Sequence, residues 1–87
     1  MNLHNQLTQL RRLDDLISRK ATGTLYELAA KFDVSISTIM RYINELKDVF
    51  QAPIAYDRVR STYYYAEPFE LILNIEVSVN GQRKKII

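Results

Sequence analysis

Thr24-Leu25-Tyr26-Glu27-Leu28-Ala29-Ala30-Lys31-Phe32-Asp33-Val34-Ser35, running on into Ile36-Ser37-Thr38-Ile39-Met40-Arg41-Tyr42-Ile43-Asn44-Glu45-Leu46, holds two helix-start signals, each followed by an apolar stripe at helical spacing. Thr24 and Glu27 stand at capping-box spacing, where each side chain bonds the other residue's otherwise unpaired backbone N–H. Leu25, Leu28, Ala29 and Phe32 then share one face of a short helix, which ends at Asp33-Val34-Ser35. Ser35 is an N-cap for a second helix, because its hydroxyl accepts from an N–H two or three residues on. Ile39, Ile43 and Leu46 form the inner stripe of that helix, Val49 and Phe50 complete it, and Pro53 bars continuation. The result is a short helix, a tight turn and a longer helix.

Toward the N-terminus, Leu3, Leu7, Leu10, Leu13 and Ile17 recur at steps of three and four, predicting a helix from about residue 3 to 19. It is expected to stop near Gly23, since glycine supplies the left-handed backbone of a C-terminal cap. Asp14 and Asp15 read as surface charges. Toward the C-terminus, Ile54 to Asp57 and Thr62 to Ala66 read as a two-stranded ribbon whose tip, Arg58-Val59-Arg60-Ser61, is basic. Alternate tyrosines of Tyr63-Tyr64-Tyr65 are expected to pack on the helices, leaving Tyr64 half exposed. The competing reading, a stacking platform for bases, is the less favoured.

From Leu71 to Val79 apolar residues alternate with others at period two, and Asn80-Gly81 is a strong two-residue hairpin signal. That turn pairs Val79 with Gln82, Val77 with Lys84, Glu76 with Lys85 and Ile75 with Ile86, which places Leu73, Ile75, Val77, Val79 and Ile86 on one face. The first strand outruns the second and leaves a free edge near Leu71 to Asn74, to be covered by helix 1 or by strand addition across a two-fold homodimer; the dimer is preferred. The predicted fold class is α+β: three helices, a β-ribbon over residues 1–68, and a C-terminal β-hairpin extension of the same domain over residues 69–87.

With 87 residues, 47% of them hydrophobic, the chain accommodates one domain and no separate ligand-binding unit. Twelve basic and ten acidic residues leave a net charge of +2, so affinity for a polyanion depends on where the charges sit. The absence of cysteine excludes disulfides, thiolate metal sites and cysteine nucleophiles, and a cytoplasmic location is expected. His4 is the single histidine, and one histidine makes no metal site. No run approaches the roughly 18 apolar residues of a membrane span. With no nucleophile constellation and no glycine-rich phosphate loop, an enzyme is not expected, nor is a cofactor.

A helix pair of the Thr24–Leu46 kind can brace one helix across a DNA backbone while the next presents its first turns to the major groove. Here the chain resembles the winged helix-turn-helix domains of DeoR-type regulators and of the biotin-operon repressor (helix-turn-helix type 11-like). Leu25 to Ser35 carries the likeness, together with Thr38-Ile39, Arg41, Ile43, Leu46 and the ribbon after Ala52-Pro53-Ile54. It spans about residues 5 to 68. Asp33 stands where the family's turn often has glycine. The resemblance implies a winged helix-turn-helix fold and a transcriptional regulator binding double-stranded DNA. It implies that Ser37, Thr38 and Arg41 are groove-facing and that Arg58 and Arg60 are wing contacts.

Beside these, Thr24 joins the expected DNA-contacting set, Ile36 is expected to touch a thymine methyl, and Tyr42 to hold a phosphate with Arg58 and Arg60. About five phosphate contacts would give a slope of log affinity against log salt of roughly −4 to −5. The alternative function is a winged-helix protein-interaction module that does not bind DNA, which the near-neutral second helix of the pair would suit. Arg83-Lys84-Lys85 is open to two readings: added contacts to DNA, or edge charges that discourage aggregation.

Overall fold

The computed structural model describes residues 3–73, 76–79 and 82–85. In chain order they form α1 (Leu3–Ser18), α2 (Leu25–Phe32), α3 (Ile36–Asp48), β1 (Ile54–Asp57), β2 (Thr62–Tyr65), β3 (Glu76–Val79) and β4 (Gln82–Lys85). Antiparallel pairs β1–β2 and β3–β4 make two separate two-stranded sheets, so the described chain is a small α+β protein of three helices followed by two hairpins.

The predicted stripe of α1 is realised from Leu7 onward, with Leu10, Leu13 and Ile17 buried and Leu7 partly so, while the side chain of Leu3 lies outside what is described. The helix stops earlier than Gly23. Lys20 takes the left-handed backbone at φ 55, its N–H donates to the Ile17 carbonyl at 3.1 Å, and the Ala21 N–H donates to Leu16 at 2.9 Å. This paired closure satisfies the last carbonyls of α1 without a glycine. Gly23, at φ 72, serves the next element instead: a Cβ there would lie 3.0 Å from both Cβ and Oε1 of Glu27.

At the start of α2 the capping box forms as read. The Glu27 N–H donates to Thr24 Oγ1 at 3.2 Å, and the Thr24 N–H donates to Glu27 Oε1 at 3.0 Å. The bond from the Thr24 N–H, and after it the Thr24 side chain, hold the Glu27 carboxyl below its ordinary range. Asp33 ends α2 in the left-handed region at φ 53, taking the place of glycine as expected. The next helix starts at Ser35, whose Oγ accepts from the Thr38 N–H at 3.1 Å.

The core gathers Leu28, Ala29 and Phe32 of α2, Ile39, Tyr42, Ile43 and Leu46 of α3, and the buried stripe of α1. Phe50 packs against it, but Val49 does not complete the inner stripe: it caps α3 with 63% of its surface exposed. Gln51 turns the chain at φ 59, and the Ala52 N–H then donates to the Leu46 carbonyl at 2.9 Å.

The first hairpin pairs Ile54 with Tyr65, Ala55 with Tyr64, Tyr56 with Tyr63 and Asp57 with Thr62. Tyr63 and Tyr65 pack against the core and Tyr64 stays half-buried outside it, the arrangement expected of alternate tyrosines. The hairpin is tied to the helices by two polar links that bridge long stretches of chain. Thr22 and Thr62, both buried, have hydroxyls 3.1 Å apart; the Thr22 N–H donates to Thr62 Oγ1 at 3.2 Å, and the Tyr63 N–H to Thr22 Oγ1 at 2.8 Å. The Tyr65 hydroxyl donates to Asp14 Oδ1 at 2.7 Å, so Asp14 is a structural acceptor and not merely a surface charge. Burial, then Asp14, pushes the Tyr65 phenol far above its ordinary range.

The C-terminal register matches the expectation, with Glu76 opposite Lys85, Val77 opposite Lys84 and Val79 opposite Gln82. The expected Ile75–Ile86 pair and the Asn80-Gly81 turn lie outside the described residues. The strand does not begin at Leu71, however. Residues 71–73 keep the period-two alternation without a strand partner: Leu71 and Leu73 are buried in the core and Ile72 is exposed. Arg11 on α1 donates to the Leu71 carbonyl at 3.4 Å, and the Phe69 ring lies 4.8 Å from Tyr65. Up to Leu73 the expected free edge is thus docked on the helical core, where the two leucines shed their apolar surface, and Asn74 lies outside the described residues.

Candidate nucleic-acid interface

Helical spacing sorts the residues of α3 into two faces. Ile39, Tyr42, Ile43 and Leu46 point into the core, while Ser37, Met40, Arg41, Asn44 and Lys47 are exposed. The leading turn is fastened by Ser35, whose Oγ lies 2.9 Å from Thr38 Oγ1 as well as capping the helix. The two hydroxyls fix each other, so Thr38 is held in place and only half exposed.

The expected site residues fall into three groups. Ser37, Arg41, Arg58 and Arg60 are exposed as predicted. Thr24, Ile36 and Thr38 are half-buried, Thr24 as the cap of α2 and Ile36 partly against the core, so each offers only part of its side chain. Tyr42 is a correction. It is 1% exposed, with its ring 6.5 Å from that of Phe32, and a side chain enclosed in this way cannot reach a phosphate. It lies three residues after Ile39 and four before Leu46, which puts it in the middle of the buried stripe.

At the far end of the first hairpin, residues 58–61 form the link. Asp57 organises it: Oδ1 accepts from the Val59 N–H at 2.9 Å and the Arg60 N–H at 3.1 Å, and Oδ2 lies 4.0 Å from Arg60 Nε. An Asx-type turn of this kind replaces the glycine that the link lacks, with Ser61 completing the reversal at φ 52. Arg58, Val59 and Arg60 are thereby held outward, Val59 with 94% of its surface exposed.

The cations of the chain are divided by what they already hold. Arg12 donates to the Lys31 carbonyl at 2.7 Å with its guanidinium carbon 4.2 Å from the Phe32 ring centroid. Lys31 donates to the Ala21 and Thr22 carbonyls at 2.8 and 3.0 Å, and Arg19 pairs with Asp15 at 2.8 Å. Arg41 and Lys47 on α3 and Arg58 at the hairpin tip are exposed and make no side-chain bond among the described residues, as is also true of Lys20.

Three residues of this surface escaped the sequence reading. Met40, 48% exposed, and Asn44 belong to the outward stripe and could have been found by counting three and seven residues on from Ser37. Asp57 stands directly before the expected tip, and an aspartate in that place is a turn former whose carboxylate caps the N–H groups that follow. Among the described residues no group of acidic or imidazole side chains could hold a metal, and no helix is long and apolar enough to cross a membrane. Comparison of the chain with family models, with curated proteins and with solved structures finds no match.

Proposed function

We propose that this protein is a small transcriptional regulator of the winged helix-turn-helix type that binds double-stranded DNA sequence-specifically. In this reading α3 enters the major groove and the β1–β2 hairpin is the wing, on the backbone or in the minor groove. The observation that carries it is the division of cations: those of α1, α2 and the connection between them, Lys20 apart, are engaged within the chain, while Arg41, Lys47 and Arg58 are free on the two elements such a protein applies to DNA. The likeness of residues 5–68 to DeoR-type and biotin-operon-repressor domains points the same way.

Ser37 and Arg41 then face base edges, Arg41 suited to the N7 and O6 acceptors of guanine. Met40 supplies the better apolar surface for a thymine methyl, since Ile36 is partly against the core. Thr38 and Thr24 flank the contact through what remains exposed of them, and Arg58 and Arg60 hold phosphates. With Tyr42 withdrawn from the set, about four phosphate contacts remain, for a slope of log affinity against log salt of about −3.6.

The second reading, a protein-docking module, draws on one observation: Arg41 and Lys47 on α3 are balanced by Glu45 and Asp48, and Tyr26 and Met40 are exposed. Fluorescence polarization with a labelled random duplex, titrated over salt, separates the two. DNA binding predicts saturable binding at low salt with that slope. No binding at low salt overturns it and favours the protein-docking module.

A further inference from the structure

The second hairpin is a sheet of its own, since neither β3 nor β4 joins β1–β2. A lone two-stranded sheet is at best marginally stable in water and gains from a further strand. Its two outer edges differ in charge. β4 carries Arg83-Lys84-Lys85 in succession, whereas β3, Glu76-Val77-Ser78-Val79, carries one charged residue.

Register decides which backbone groups are free. Val79 and Gln82 oppose each other across a two-residue connection, so they form the hydrogen-bonded pair that closes the hairpin; Ser78 and Arg83 are a non-bonded pair and Val77 and Lys84 again a bonded one. The N–H and C=O groups of Glu76 and Ser78 therefore face away from β4, and those of Arg83 and Lys85 away from β3.

We propose that the β3 edge pairs with β3 of a second copy about a two-fold axis at Val77, giving a four-stranded sheet in the order β4-β3-β3-β4. In that register Glu76 lies opposite Ser78 of the second copy and Val77 opposite its own counterpart, and no like charges are opposed. A two-fold pairing through β4 fails this test. Centred on Arg83 it sets Arg83 against Arg83, and centred on Lys84 it opposes Arg83 to Lys85 and Lys84 to Lys84, which is unfavourable. The same cations on both rims of the joined sheet discourage further growth, so assembly closes at two copies. The inference does not depend on DNA binding.

Sedimentation equilibrium of the full chain tests it with two proline variants. Ser78→Pro removes one outward N–H of β3 and no hydrogen bond of the hairpin; Arg83→Pro does the same for β4. Wild type and Arg83→Pro are expected at twice the 10.2 kDa chain mass and Ser78→Pro at the single mass, all three with the same circular dichroism. A monomeric wild type, a dimeric Ser78→Pro, or equal dissociation of both variants would overturn the proposal.

Discussion

Thr22 and Thr62 join the first hairpin to the connection between α1 and α2, with each buried hydroxyl acting as acceptor for a backbone N–H. Replacing Thr62 by valine keeps the shape and leaves the Thr22 N–H without that acceptor, for a cost of about 1 to 3 kcal/mol. The midpoint of thermal unfolding should drop by roughly 4–8 °C for each kcal/mol, and Thr62→Ser should recover most of it. Equal midpoints for wild type and Thr62→Val would show that the link contributes nothing. No periodicity announces this pair, because its members are forty residues apart and threonine is more often exposed than buried. Tyr42 was misread for a related reason: a side chain with an apolar ring and a polar tip fits either face of a helix, and only its place between Ile39 and Leu46 identifies it as core.

At the scale of elements, the ends of α2 and the start of α3 were legible because their signals are local. Thr24 with Glu27, Asp33 and Ser35 act within three or four residues of where they stand. Thr24→Ala should lower stability by about 1 kcal/mol in denaturant melts. Glu27 adds a pH dependence whose sign follows from its depressed carboxyl: its contribution is present above the unfolded carboxylate range and is lost as pH falls through the lower folded value. Glu27→Gln should flatten that part of the acid limb, and an unchanged limb would exclude the capping carboxylate as its source. The end of α1 was not legible, since Lys20 carries no preference for the left-handed backbone and adopts it because the chain must turn there. The start of the last strand was misplaced for a different reason. Alternation reports which residues face the core, and Leu71 and Leu73 satisfy it by docking without pairing. Leu71→Ala should therefore cost about 2–5 kcal/mol, as for any large-to-small core change; a loss below about 1 kcal/mol would make the segment a detachable tail.

For the molecule as a whole, the polar links serve one arrangement. Arg12, Lys31 and the threonine pair fasten α1, α2 and the first hairpin to each other, and the leading turns of α3 and the Arg58–Arg60 tip are left outward. The apolar half of that arrangement was readable from helical spacing. The division between engaged and free cations was not, because it depends on carbonyls and rings that only folding brings within reach. The proposed function rests on that division: in it the outward face of α3 reads bases while the hairpin tip holds the backbone. Selection of bound duplexes from a random pool, run in parallel with wild type, Arg41→Ala and Arg58→Ala, measures this most directly. Wild type should enrich a defined site. Arg41→Ala should relax the preference at one base pair at a cost of about 1–3 kcal/mol, and Arg58→Ala should keep the same site with affinity lowered evenly across sequences. No enrichment by the wild type, or an Arg41→Ala selection identical to it, would mean that α3 does not read bases.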